Sequence, residues 1–111
     1  MKIRACLLGL LFPVCSAHAI EKAIVVPSDP TGNYALAEKS GNAGKRGVVT
    51  KREGFLGGMY SKRVYDCQNR TGNLVGTGAT LEIMEQSHPV SSMGPIIRDS
   101  TAEDIHAEAC S

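Results

Sequence analysis

The chain has 111 residues, with 12 basic and 11 acidic side chains, a formal charge of +1, 42% apolar residues and no tryptophan. That length bounds it to one small domain with a modest core. A charge so close to zero argues against general affinity for nucleic acid.

The first nineteen residues, MKIRACLLGLLFPVCSAHA, place Lys2 and Arg4 before an apolar run from Ala5 to Phe12. Pro13 and small residues follow, and Ala17-His18-Ala19 has the A-x-A form of a signal-peptidase site. This three-part pattern predicts a secretory signal peptide over residues 1–19. A spanning helix needs roughly 20 apolar residues, and Pro13 interrupts the run well short of that. Cys15 follows Phe12-Pro13-Val14, which does not fit a lipid-attachment site. No later segment is apolar enough to span a bilayer. The expected domain is therefore residues 20–111, with 20–47 partly loop-rich. Cleavage also removes Lys2 and Arg4, which takes the formal charge from +1 to −1.

Further along, EKAIVVPSD and GVVTKRE are candidate strands, and NYALAEK reads equally as helix or strand. The segment between, rich in Gly, Ser and Asn, reads as loop. GGMYSKRVYDCQN alternates and is rich in β-branched and aromatic residues, so it predicts a strand. In QNRTGNLVGTG, Thr71-Gly72-Asn73 and Gly76 read as turn residues around a short strand. TGATLEIMEQ alternates more cleanly and predicts another strand, with Ala79, Leu81 and Ile83 on one side. The two prolines of SHPVSSMGPIIRD predict a loop and then a short edge strand at Ile96-Ile97.

The end of the chain, DSTAEDIHAEACS, predicts a helix. Ser100 and Glu103 form a capping box, and Asp99, Glu103 and Asp104 set negative charge at the positive end of the helix dipole. Ala102, Ile105, His106, Ala109 and Cys110 share one face. A ten-residue helix is too short to hold alone. Cys6 and Cys15 leave with the signal, so Cys67 and Cys110 remain, and an even pair in an exported domain reads as one disulfide. It would close a loop of about 43 residues, a constraint of about 4 kcal/mol on chain-entropy grounds. The sum is an α+β domain: a small antiparallel sheet with one C-terminal helix tethered to it by a disulfide.

Enzyme readings fail one by one. GNAGKRG lacks the Ser or Thr and the early glycine of a phosphate loop. His106 and Cys110 stand one helical turn apart, but a zinc site needs three or four ligands. Asn69-Arg70-Thr71 is a glycosylation sequon. The carboxylates cluster in the capped helix, where the dipole accounts for them. No nucleophile–base set, metal set or cofactor motif emerges. Charge is unevenly spread instead. Lys45, Arg46, Lys51, Arg52, Lys62 and Arg63 are opposed only by Glu53, whereas Glu82 to Glu108 holds six acidic residues and one arginine. Lys51, Arg52, Lys62, Arg63 and Arg70 are the candidate partner-binding residues: a basic sheet face for an acidic protein or glycan.

The block YSKRVYDCQNRTG … LVGTGATLEIMEQS … IIRDSTAEDIHAEAC, roughly Gly58 to Cys110, resembles the surface-adhesin protein E family of Gram-negative bacteria. Ser61, Lys62, Asp66, Cys67, Arg70, Ser100, Glu103 and Cys110 carry the match. The resemblance implies an antiparallel sheet with its C-terminal helix pinned by a Cys67–Cys110 bond. It also implies exposure at the cell envelope, binding of host matrix and plasma proteins, and the capacity to dimerise. Two features depart from the family: Met93-Gly94-Pro95 lies where members often carry a tryptophan, and Cys15 is a poor match to a lipid-attachment site. The expected function is thus a non-enzymatic exported binding domain, periplasmic or at the cell surface. The alternatives are a periplasmic inhibitor or immunity-type protein inserting residues 27–47, and an envelope subunit that self-associates through opposite charges.

Overall fold

A computed structural model describes residues 22–111. The signal-peptide reading of residues 1–19 lies outside the described residues. Six strands follow one another as an antiparallel meander, in the spatial order of the sequence. They are β1 (Lys22–Ile24), β2 (Asn33–Asn42), β3 (Lys45–Gly54), β4 (Gly57–Asp66), β5 (Thr71–Gly78) and β6 (Gly94–Pro95). Helix α1 (Leu81–Gln86) follows β5, and helix α2 (Thr101–Ala109) closes the chain. The α+β class is as expected. Among the described residues, no helix is long and apolar enough to cross a membrane.

Strand alternation divides the sheet into two faces. One carries Leu36, Val48 and Tyr65, which form the core with Val26, Ile105 and Ala109. Helix α2 lies on this face. Its buried residues are Ile105, His106 and Ala109, from the apolar stripe read in the sequence. The capping box forms with a shift of one residue. The Ser100 hydroxyl accepts from the Glu103 amide at 3.2 Å, but the Glu103 carboxylate accepts from the Asp99 amide at 2.8 Å. Cys67 and Cys110 are bonded, with Cα atoms 5.7 Å apart, so the far end of α2 is tied to the end of β4. Near the start of α2, the Tyr65 hydroxyl donates to the Ala102 carbonyl at 2.8 Å. The short helix is held at both ends as well as along its face, which a helix of this length needs.

The opposite face carries α1, where a strand was expected. The Thr80 side chain accepts from the Ile83 amide at 3.1 Å and caps the helix. Met84 is buried, while Leu81 and Ile83 are about half exposed, so helical rather than alternating spacing decides which residue goes inside. The glycines of β5 make this possible. A β-carbon at Gly78 would lie 2.4 Å from the Met84 nitrogen, and one at Gly76 would lie 2.6 Å from the Met84 carbonyl oxygen. Both glycines are strand positions that let a helix backbone approach closely, and Gly76 is not the turn residue expected from composition.

The segment 27–47 is more ordered than its composition suggested. Residues 33–42 and 45 onward form the β2–β3 hairpin, which leaves residues 25–32 as the connecting loop. That loop is fastened on both sides. The Ser28 amide donates to Asp104 of α2 at 3.0 Å, and Asp29 takes two hydrogen bonds from Arg52 of β3. The expected edge strand at Ile96-Ile97 falls two residues earlier, at Gly94–Pro95, where it pairs with Thr71 and Gly72.

Candidate functional site

The five basic residues expected on one face do not share one. The β3–β4 register sets Val48 opposite Arg63, Val49 opposite Lys62, Lys51 opposite Tyr60 and Arg52 opposite Met59. Directly opposed residues project to the same side, and neighbours along a strand to opposite sides. Lys51 and Lys62 therefore share the α1 face, and Arg52 and Arg63 the α2 face. Arg70 stands in the β4–β5 turn with φ of 54°. An uninterrupted Lys-Arg pair on a strand cannot make a one-sided basic surface, because the period of the strand is two.

Four of the five are also engaged within the domain. Lys51 lies 3.4 Å from Glu53 and over the Tyr60 ring at 5.6 Å. Lys62 lies 3.7 Å from Glu85 of α1, and Arg70 lies 4.0 Å from Glu103 of α2. Arg52 makes the tightest pair: Nε to Asp29 Oδ2 at 2.6 Å, and Nη2 to Asp29 Oδ1 at 3.2 Å. Tyr34 donates to the same carboxylate at 2.7 Å. The Arg52 and Tyr34 hydrogen bonds hold the Asp29 carboxyl well below the usual carboxylate range. Burial, then the bond to Asp29, raises the Tyr34 phenol. Arg52 is a clamp on the 25–32 loop.

Arg63 is different. Among the described residues it makes no hydrogen bond and no ion pair. It is half-buried on β4 and lines a cleft of about 290 Å³ on the α2 face. The other walls are Leu74 of β5, Pro95, Ile96 and Ile97 of the segment around β6, and Ala102 of α2, with Tyr65 and Gly72 between strands. The polar edge of the cleft is largely spoken for. Asn73 donates to the Ser91 carbonyl at 3.2 Å, and Ser91 Oγ accepts from the Leu74 amide at 2.9 Å. The Tyr65 hydroxyl is committed to Ala102, and burial pushes the phenol up to about 12. The cleft thus offers apolar walls and one positive charge unmatched among the described residues.

Sequence reasoning found Arg63 but not the walls. Ile96 and Ile97 carry an apolar signal that fits an edge strand equally well, and Leu74 falls in the short strand expected between turn residues. A second apolar feature has no periodic signal in the sequence: Phe55 and Leu56, between glycines at the β3–β4 turn, are 101% and 95% exposed.

Outside the cleft and the Arg52 clamp, the titratable groups with perturbed proton affinity lie apart from one another, at His106 and Asp66. His106 is buried against Tyr65, with ring centroids 5.4 Å apart and an edge-on arrangement. Among the described residues its Nε2 has no hydrogen-bond partner, and burial, aided by the charge of Arg70, lowers its proton affinity against the opposing pull of Glu103. Cys110, its neighbour one turn on, is spent on the disulfide. Asp66, the last residue of β4, braces the turn after it: its carboxylate accepts from the Asn69 side chain at 2.7 Å and from the Gln68 and Asn69 amides, and these bonds lower its proton affinity. Among the described residues, no group of three or more His, Cys, Asp or Glu side chains is arranged to hold a metal ion. No family model, curated protein or solved structure matches the chain.

Proposed function

We propose that the chain is a non-enzymatic, exported binding domain of the surface-adhesin E type, and that it takes an acidic protein segment in the Arg63 cleft. The observation that carries this reading is a half-buried arginine, without an anion of its own among the described residues, set among apolar walls. A partly desolvated cation gains from a ligand carboxylate more than an exposed one does, because its charge is less screened. Apolar walls with few convergent polar groups are the usual make-up of a recognition site. Export is supported by the Cys67–Cys110 bond, which persists in oxidising compartments.

The ligand chemistry is an apolar side chain beside a carboxylate. N-acetylphenylalanine is the simplest probe, and its neutral amide is the control. In a titration followed by amide NMR, N-acetylphenylalanine is expected to shift Arg63, Leu74, Ile96 and Ile97, with an affinity that falls between low and physiological salt. Shifts confined to other parts of the sheet, or binding indifferent to salt, would overturn the reading.

A further inference from the structure

The β3–β4 turn is built against ordinary surface chemistry. Two-residue hairpin turns favour Asn-Gly or Asp-Gly at their centre. Here Gly54 and Gly57 close the turn, Gly57 at φ of 112°, and the two central residues are Phe55 and Leu56. Both side chains are essentially fully exposed, so neither contributes to this domain's core. The neighbouring strands stop short of them: β2 ends its pairing at Glu53, and β5 at Tyr60. The tip is a convex apolar projection. The Arg63 cleft is a concave apolar one.

We propose that Phe55 and Leu56 of one copy seat in the Arg63 cleft of a second copy. The inference rests on the reading of that cleft as a binding site and names one occupant for it. The tip supplies what the cleft lacks. Phe55 and Leu56 match the apolar walls, and Glu53, two residues from Phe55 and with a side chain 63% exposed despite its 3.4 Å pair with Lys51, brings a carboxylate to Arg63. The contact is between copies by geometry. Leu56, just before β4, and Arg63 within it are seven residues apart, about 23 Å at the usual rise of a strand, so a tip cannot reach its own cleft. Unlike surfaces meet, which makes the contact heterologous. A two-residue insertion falls far below the roughly 1,000 Å² of a stable interface, so the association is weak and rises with concentration.

Analytical ultracentrifugation of the native chain, with its disulfide intact, tests this at low salt over a concentration series. The wild-type weight-average mass is expected to climb above that of the monomer. Phe55→Ser/Leu56→Ser, altered only at exposed positions, stays monomeric. Arg63→Glu also stays monomeric, and Ile97→Glu, at an exposed cleft wall, repeats that result without touching a half-buried charge. An equimolar mixture of the tip variant and either cleft variant regains a one-to-one complex, because one intact tip and one intact cleft remain. A wild type that is monomeric throughout, a tip variant that associates like wild type, or a mixture that stays monomeric while wild type associates would each overturn the inference. N-acetylphenylalanine binding that persists in those cases would leave the cleft reading standing, whereas its absence would remove both.

Discussion

Gly72 stands opposite Tyr65 across the β4–β5 ladder, and the space its missing side chain leaves is filled by the phenol ring. A β-carbon there would lie 2.6 Å from Tyr65 Cδ1. Tyr65 in turn is 1% exposed, anchors the start of α2 and borders the cleft. Gly72→Ala is therefore expected to destabilise the domain by about 1–3 kcal/mol, the usual cost of overpacking. Tyr65→Phe, which removes only the bond to Ala102, is expected to cost about 1 kcal/mol. Urea unfolding of the two variants checks the order; a neutral Gly72→Ala would show that the ring can move aside.

Cys67 and Cys110 close a 43-residue separation. Replacing both with serine is expected to lower stability by up to about 4 kcal/mol on chain-entropy grounds. The loss should be largest at α2. Amide exchange is expected to rise first over residues 101–109, ahead of the β3–β4 ladder. Equal acceleration in both elements would mean the bond stabilises the whole domain and does not specifically tether the helix.

His106 gives the stability a pH dependence whose sign is fixed. Its folded-state proton affinity is lowered, chiefly by burial, with Arg70 in the β4–β5 turn adding to the effect and Glu103 on α2 opposing it. Tyr65 faces it from β4 as a neutral ring. The unfolded chain takes up the proton near pH 6.5 and the folded chain at lower pH, so stability falls as pH drops below about 6.5. One proton limits the slope to about 1.4 kcal/mol per pH unit. Asp29 acts in the same direction only near and below its ordinary range around pH 4, so pH 5 separates the two. Between pH 7.5 and 5, wild type is expected to lose more melting temperature than His106→Leu. Equal losses would exclude the histidine as the cause.

The reading of residues 1–19 as a cleaved signal has a direct check. The intact mass of the protein recovered from its host is expected to correspond to a chain starting at Ile20. It should be two hydrogens light and take up no thiol label. A retained leader or an added lipid would contradict cleavage.

Local chemistry made much of the fold legible. The α2 cap, its buried stripe and the cysteine pair all depend on residues close in sequence or on simple counting, and each is found in place. The β4 strand was readable because its alternation is long. What failed depended on the far side of a contact. Gly76 looked like a turn residue because nothing in the chain order says that the Met84 backbone will lie against it. LEIM looked like a strand because two turns of helix carry too few residues to distinguish the periods. The basic set was misplaced for a stricter reason. Adjacent Lys51-Arg52 and Lys62-Arg63 must point to opposite faces once they are in strands, a consequence available from the strand assignment itself. The Arg63 cleft could not be read at all, since its walls come from β4, β5, the β6 segment and α2.

The most direct single measurement is the ratio of affinities for N-acetylphenylalanine and its neutral amide, taken for wild type and for Arg63→Gln. Wild type is expected to favour the carboxylate by about three- to tenfold, the range of a modest charge-assisted contact. In Arg63→Gln the ratio is expected to fall to about one, with binding of the amide unchanged. Equal affinities in wild type, or a carboxylate preference that survives Arg63→Gln, would contradict recognition at this cleft.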